Sequence, residues 1–171
     1  MPKPHRFNLF RRRFKRKLRI RPLRRTDLAD LARLFHETVA RVNRRDYTPA
    51  KLRAWSPRVR PPGVWRRRLA GLRTFAAVRK RKLLGFATLG AAGVIEHLYV
   101  HRKRQGRGVG RALVARLTQE ARRRRVAQLT VDASVTARPF FRALGFRQER
   151  VQLRYMSGRA LRQYQMQRRL G

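Results

Sequence analysis

The sequence contains no cysteine, which excludes disulfides, zinc–thiolate sites and a catalytic thiol. It has no apolar run of the roughly 18 residues that a membrane-spanning helix needs. It also lacks the short apolar segment and small-residue cleavage site of a secretory signal, so we expect a cytoplasmic protein. His36, His97 and His101 are interpreted as ordinary surface or strand histidines. We therefore predict no metal site.

Acidic residues are scarce: 8 Asp and Glu face 47 Lys and Arg, for a formal net charge of +39. A net charge of about two to eight is ordinary for a small domain. The cations, nearly all arginine, are spread along almost every predicted element. This spread favours a general compositional bias, evolutionary or engineered, over a dedicated nucleic-acid site. A chain with this charge should still bind nucleic acid and other polyanions nonspecifically at low salt.

The length of 171 residues and the apolar content of 42% predict one domain with its own core. Residues 1–17 contain no acidic residue, and Phe7, Phe10 and Phe14 recur at helical spacing. This segment could be a basic amphipathic element for an anionic membrane or nucleic acid, or a targeting presequence. We favour a mobile basic extension, because the domain pattern starts at Leu18 and continues through residues 18–171.

A glycine-rich turn, Gln105–Arg111, follows a strand-like run over Val94–Val100 and opens a helical pattern near Gly108. Such a turn points unpaired backbone N–H groups outward, and the positive end of the helix dipole adds to them. The sequence therefore predicts a pyrophosphate site. A dinucleotide fingerprint is excluded because Arg111 stands where a third glycine is needed, and no Walker lysine–serine/threonine pair is present.

Two motifs about 30 residues apart carry a family resemblance. They read Gln105-x-x-Gly108-x-Gly110 and Ser134-x-x-Ala137-x-x-Phe140-Phe141-x-x-x-Gly145-Phe146. The first is similar to the coenzyme A signature Q/R-x-x-G-x-G/A of the GNAT acyltransferase superfamily. The second is similar to the family pattern N-x-x-A-x-x-F-Y-x-x-x-G-F. The chain thus resembles GNAT N-acetyltransferases over roughly residues 18–170.

The order of predicted elements suits this resemblance. A strand at Leu18–Pro22 precedes a helix for which Thr26 is the predicted cap, and Thr48 is predicted to cap a second, short helix. A third helix is predicted over Val64–Leu72, and a hairpin then turns over residues 79–82. The resemblance implies the α/β acyl-CoA N-acyltransferase fold, a mixed central sheet flanked by helices.

The resemblance implies acetyl-CoA as the cosubstrate and an amine, small molecule or protein, as the acceptor. It implies transfer of an acetyl group without a metal, by a monomer or homodimer. Acceptor identity is not readable from the sequence. The implied coenzyme-binding residues are Leu98, Tyr99, Val100, Gln105, Gly106, Arg107, Gly108, Val109, Gly110, Arg111, Ser134 and Phe141.

Catalysis requires a neutral amine and a leaving thiolate. The resemblance makes Glu96 the candidate base, whereas Asp132 suits helix capping and Ser134 suits either a cap or a coenzyme contact. The family's usual acid, a tyrosine, is replaced by Phe141. Tyr99, Tyr155 or a water could replace it, or the thiolate could leave unprotonated in the positive field. The alternative function is a GNAT-like scaffold that binds polyanions, such as nucleic acid, without turnover.

Overall fold

The structure, a computed structural model, describes residues 18–171. The predictions for residues 1–17 lie outside the described residues. The strands are β1 Arg19–Pro22, β2 Arg73–Arg79, β3 Lys82–Leu89, β4 Val94–Val100, β5 Gln128–Ser134, β6 Arg147–Met156 and β7 Arg159–Arg169. The helices are α1 Leu28–Val42, α2 Pro49–Trp55, α3 Pro62–Arg68, α4 Val109–Arg123 and α5 Arg138–Arg142. Short 3₁₀ turns connect several of them.

The strands form one sheet in the order β1-β2-β3-β4-β5-β7-β6. Neighbouring strands are antiparallel except β4 and β5, which are parallel. The connection between these two strands is α4, as a parallel pair requires a crossover. The predicted mixed sheet with flanking helices is confirmed. Within residues 18–171 no helix is long and apolar enough to cross a bilayer.

Each face of the sheet buries its own apolar core. On one face α4 packs Leu113 and Leu117 against the strands, both fully buried. On the other face α1 packs Leu31 and Val39 around Trp65, which is also fully buried. Burying one such leucine contributes about 1.5–3 kcal/mol, so these side chains stabilise the packing of one helix on each face of the sheet.

The start of α1 differs from the sequence prediction. Thr26 does not cap it; a 3₁₀ turn comes first and the helix begins at Leu28. The carboxylate of Asp27 accepts a hydrogen bond from Arg24 N at 2.8 Å and forms an ion pair with Arg21 at 2.7 Å. These charge-assisted bonds outweigh what a threonine hydroxyl supplies, which is why the turn is organised on the aspartate.

The two short helices that follow begin with proline. Thr48 caps α2 as predicted, because its Oγ1 accepts from Lys51 N at 3.4 Å. Helix α3 begins at Pro62 and ends at Arg68, so the prediction of Val64–Leu72 placed it too late along the chain. Proline fits the first helical position, where its missing N–H has no partner to lose.

Candidate active site

Strands β4 and β5 separate soon after they meet. Val94 aligns with Thr130 and Ile95 with Val131, and within the described residues no further pair follows before the strands end. Beyond that point the edge of β4 that faces β5 keeps backbone N–H and C=O groups without ladder partners. A buried backbone group without a partner is costly, so this gap is suited to an extended ligand that pairs like a strand.

The separation coincides with a β-bulge in β4. Thr88 of β3 pairs with His97, and the next residue, Leu89, pairs with Ile95. Glu96 is therefore an extra residue without a partner in the ladder. A bulge bends its strand and redirects a side chain, which here places the Glu96 side chain at the mouth of the gap.

The glycine-rich turn lies at the far end of β4. Gly108 is the N-cap of α4 and has a φ of +83°, a conformation that glycine adopts at little cost. A Cβ on Gly110 would lie 3.0 Å from Cζ of Phe140, so any larger residue would force that ring to shift by a few tenths of an ångström. The first N–H groups of α4 have no helical acceptor and carry the positive end of the dipole.

Gln105 ties this turn to the strand. Its Nε2 donates to the carbonyl oxygen of Val100 at 2.6 Å, and Thr38 Oγ1 donates to the same oxygen at 3.3 Å. The glutamine side chain therefore fixes the position of the turn. Since both lone pairs of that oxygen are used, a ligand contact at Val100 does not go through its carbonyl.

A cavity of about 390 Å³ occupies the gap and joins these features. We call its glycine-rich part, residues 104–111, the loop side. We call the part formed by Trp55, Tyr99, Arg154, Met156 and Gln163 the hairpin side, since three of these residues belong to β6 and β7. The predicted site residues that line the cavity are Glu96, Leu98, Tyr99, Val100, Gln105, Gly106, Gly108, Val109, Gly110, Arg111, Ser134 and Phe141.

The carboxylate of Glu96 is exposed and lies over the end of β3. A Cβ added at Gly90 would be 3.2 Å from Glu96 Oε1. None of the ion pairs among residues 18–171 includes Glu96, although arginine is abundant. The carboxylate is thus open to a ligand in the cavity.

Tyr99 presents a neutral phenol on the hairpin side. Its ring lies 4.7 Å from Phe35 and stacks on Phe86 at 5.5 Å, both between centroids. Burial raises the pKa of Tyr99 well above its ordinary value, against the smaller effect of a hydrogen bond from the Trp55 indole N–H. Because the indole donates to the phenol oxygen, the tyrosine keeps its own O–H to donate.

His97 faces away from the cavity into the α1 core. Its Nδ1 lies 3.0 Å from Thr88 Oγ1, and its ring centroid is 5.7 Å from that of Trp65. Burial, with smaller contributions from the charges of Arg68 and Arg154, lowers the pKa of His97 to about 4. The imidazole is therefore neutral near pH 7.

The loop before α2 is hydrogen-bonded to β7 and to the turn that follows β5. The Tyr47 hydroxyl donates to the carbonyl of Arg162 at 2.8 Å and accepts from Val135 N at 2.9 Å. Thr136 Oγ1 donates to Asp46 Oδ2 at 2.7 Å. These long-range bonds fix the α2 region over the hairpin side, and sequence analysis missed them because no local pattern connects positions so far apart.

Two predicted site residues lie outside the cavity lining. Arg107 is exposed, and Arg104 takes the wall position in its place. Tyr155 is 70% exposed, whereas Arg154 and Met156 on either side of it line the cavity. Successive residues of a strand point to opposite faces, so the phenol of Tyr155 is on the wrong face for the cavity.

At the end of β5 the capping prediction is wrong for Asp132, whereas Ser134 does form a cap. Ser134 Oγ accepts from Ala137 N at 3.1 Å and so holds the turn into α5. Asp132 is exposed and lines the cavity, without a capping bond. Phe141 is buried in the α4 core, with its ring centroid 5.1 Å from that of Phe146. No group of three or more His, Asp or Glu side chains that could hold a metal occurs among residues 18–171.

Comparison with known proteins agrees with this geometry. The family model described as "Acetyltransferase (GNAT) domain" matches residues 43–168. The chain is 30% identical over 140 residues to the uncharacterized N-acetyltransferase YafP of Escherichia coli strain K12, a match that covers 80% of this chain and 88% of YafP.

Solved structures with the same fold include members of this family. A GCN5-related N-acetyltransferase from Rhodopseudomonas palustris, also described as a class-II aminotransferase, has a TM-score of 0.84 and 30% identity. The match covers 88% of this chain and 94% of that one. The Salmonella typhimurium protein yncA, solved with acetyl-CoA, has a TM-score of 0.68 and 24% identity, with 91% and 95% coverage. At that identity the likeness shows the fold alone.

Proposed function

Since the chain belongs to the GNAT acetyltransferase family, we propose that it transfers the acetyl group of acetyl-CoA to an amine. The observation that carries this proposal is the open edge of β4, which leads directly to the glycine-rich turn at one end of the same cavity. The relatives named above give no support to a scaffold that binds polyanions without turnover. A cytoplasmic location and a monomer or homodimer stay predictions.

The loop side fits the coenzyme. The open edge of β4 at Leu98 offers strand-like pairing to the pantetheine arm, which carries amide groups. The N–H groups at the start of α4 would bind the pyrophosphate, and Arg104 and Arg111 on the cavity wall add positive charge. Phosphate next to a helix N-terminus is stabilised by both the dipole and the arginines.

Glu96 is the proposed base. The neutral amine attacks the thioester carbonyl, a C–N bond forms, and the C–S bond breaks to give an acetamide and the coenzyme thiolate. The proton lost by the amine goes to the Glu96 carboxylate, which no arginine of the described chain neutralises. A base must be within reach of the proton that it accepts, and the bulge places this carboxylate on the cavity wall.

Tyr99 is the proposed acid that protonates the thiolate. It lines the cavity, whereas Tyr155, the other tyrosine considered, does not. The raised pKa of Tyr99 keeps its proton on the phenol at neutral pH, and the indole N–H of Trp55 stabilises the oxygen as its proton leaves. The thiolate is thereby released as a thiol. The proton held by Glu96 then returns through solvent to the Tyr99 phenolate, which restores both groups and completes the proton balance.

The test compares two carboxylates on the same cavity wall. We expect Glu96→Gln to lower turnover by on the order of 10²–10⁴-fold, because the amide keeps the shape and removes the base. Acetyl-CoA affinity, measured by calorimetry, should not change. Asp132→Asn, the matched control, should leave turnover nearly intact. Unchanged turnover of Glu96→Gln across the pH range, or a larger loss in Asp132→Asn, would reject Glu96 as the base.

A further inference from the structure

The hairpin side of the cavity contains cationic charge with no counter-charge. Arg154 of β6 lines the cavity beside Tyr99 and Met156. None of the ion pairs among residues 18–171 includes Arg154. Other arginines of the described residues also lack an ion pair. Arg154 differs from most of them because it lies on the wall of the candidate active site, where it can contact a bound molecule.

Two further arginines extend this charge behind the wall. Arg68 of α3 lies over the ring of Trp65 at 5.3 Å from its centroid, and neither it nor Arg60 belongs to a described ion pair. Partial burial lowers the pKa of Arg68, and the like charges of Arg60 and Arg154 lower it further. Arg68 is therefore repelled by both Arg60 and Arg154, and an anion beside these groups would offset that repulsion.

A second observation on the hairpin side also indicates a polar ligand. Gln163 of β7 lines the cavity, is only 5% exposed, and its Oε1 is buried without a hydrogen-bond donor. A buried acceptor without a donor costs free energy, and an N–H group of a bound molecule would remove this cost. An amine acceptor carries such a group.

We propose that the acceptor of this enzyme is an amine that also carries an anionic group, a carboxylate or a phosphate, bound by Arg154 with the support of Arg60 and Arg68. The anionic group lies on the hairpin side, where Gln163 accepts a hydrogen bond from an N–H of the same molecule. The reacting amine then extends towards Glu96, at the point where β4 and β5 separate. The assignment rests on the proposed function, since it names the substrate class of the same cavity.

The experiment uses pairs of acceptors that differ only in the anionic group. Each ω-amino carboxylate in a series of increasing chain length, and each ω-aminoalkyl phosphonate, is compared with the alkylamine of the same length. Calorimetry on the full chain loaded with coenzyme A measures binding, and initial rates with acetyl-CoA measure kcat/KM. We expect the best anionic member to bind about tenfold or more tightly than its neutral partner, with a matching gain in kcat/KM.

Two variants assign this preference to the arginine. Arg154→Gln should reduce the anionic-to-neutral ratio towards one, mainly through KM, and should leave acetyl-CoA affinity unchanged. Arg162→Gln is the matched control, because it also removes one positive charge, from the neighbouring strand β7. Arg154 pairs with Leu161, so the next residue, Arg162, lies on the opposite face of the sheet from Arg154. The control should keep the ratio. Arg68→Gln should lower the ratio less than Arg154→Gln.

The results separate this inference from the proposed function. Equal binding of the two members of every pair, or a ratio that survives Arg154→Gln, overturns the anionic acceptor even if neutral amines are acetylated. A chain that fails to bind acetyl-CoA overturns the proposed function instead. A carboxylate preference without a phosphonate preference, or the reverse, identifies which anion the site accepts and supports the proposal.

Discussion

The loop side and the hairpin side of one cavity offer a ligand different kinds of contact. The loop side is one continuous segment, residues 104–111, whose main contribution is backbone N–H groups held by glycine. The hairpin side collects side chains from α2, β4, β6 and β7, from Trp55 to Gln163. Backbone recognition needs glycine at fixed spacing and so leaves a pattern in the sequence. Side-chain recognition needs only that distant residues meet, and it leaves none.

The largest effect should follow from removing a glycine of the loop side. Gly108→Val should abolish measurable acetyl-CoA binding in calorimetry. A β-branched residue at a φ of +83° is strained by roughly 1–3 kcal/mol, and the turn would shift the N–H groups that are proposed to bind the pyrophosphate. Gly158→Val is the control, since Gly158 has a φ of +72° with no atom within 4 Å of an added Cβ and lies between β6 and β7. Retained binding in Gly108→Val would show that the turn does not hold the coenzyme.

Most of the fold on the loop side was predictable from the sequence. The bounds of β4, Val94–Val100, were predicted as observed, and α4, which was predicted to start near Gly108, begins at Val109. Glycine and apolar periodicity are local signals, so they identify such elements without knowledge of the tertiary structure. The role of a particular side chain, in contrast, depends on its contacts with residues from other elements, which local patterns do not show. The cap at Thr26 is wrong because Arg21 engages Asp27 from another element.

The hairpin side was not predictable for a geometric reason. Which residues of β6 face the cavity depends on its register with β7, and a shift of one residue exchanges the two faces. Tyr155 was chosen for its chemistry, but the pair Arg154–Leu161 places the neighbouring Arg154 on the cavity face instead. Only the register reveals the arginine, and no motif in the sequence marks it.

The second prediction concerns His97, which is packed behind the hairpin side. The pKa of His97 is about 4 in the folded protein, below its value near 6.5 in the unfolded chain. The folded state therefore holds fewer protons between these values, and the contribution of His97 to stability is complete above pH 6.5 and lost as the pH falls towards 4. The loss amounts to about 3 kcal/mol.

Glutamine at this position separates the titration from the packing. His97→Gln keeps a polar partner for Thr88 but cannot titrate. Denaturant unfolding near pH 7 and near pH 4 should show that the wild type loses about 3 kcal/mol more than the variant. Equal losses in the two proteins would mean that His97 titrates normally in the folded state.

The third prediction tests the acid on the hairpin side. Tyr99→Phe should lower kcat by about tenfold, because one hydrogen bond to the leaving thiolate is lost and water replaces it in part. Acetyl-CoA affinity should stay the same, since the loop side is unchanged. Tyr155→Phe is the control on the exposed face and should have no effect. An equal loss of kcat in both tyrosine variants, or no loss in Tyr99→Phe, would mean that solvent and not Tyr99 protonates the thiolate.

The smallest effect should be that of salt on the loop side. Between about 0.1 M and 0.5 M salt the Debye length falls from about 10 Å to a few ångströms, so exposed charges lose most of their long-range attraction. Hydrogen bonds from the backbone of the turn act at contact distance and persist. Acetyl-CoA affinity should therefore fall only a few-fold.

Duplex DNA bound to the surface of this +39 chain should dissociate over the same range of salt. The logarithm of its affinity should fall with the logarithm of the salt concentration, with a slope near −0.9 for each phosphate contacted. Calorimetry for acetyl-CoA and fluorescence anisotropy for DNA, in the same buffers, measure both. If the two affinities fell in parallel, the coenzyme would be held by diffuse charge, and the distinction between a backbone site and an arginine site would be lost.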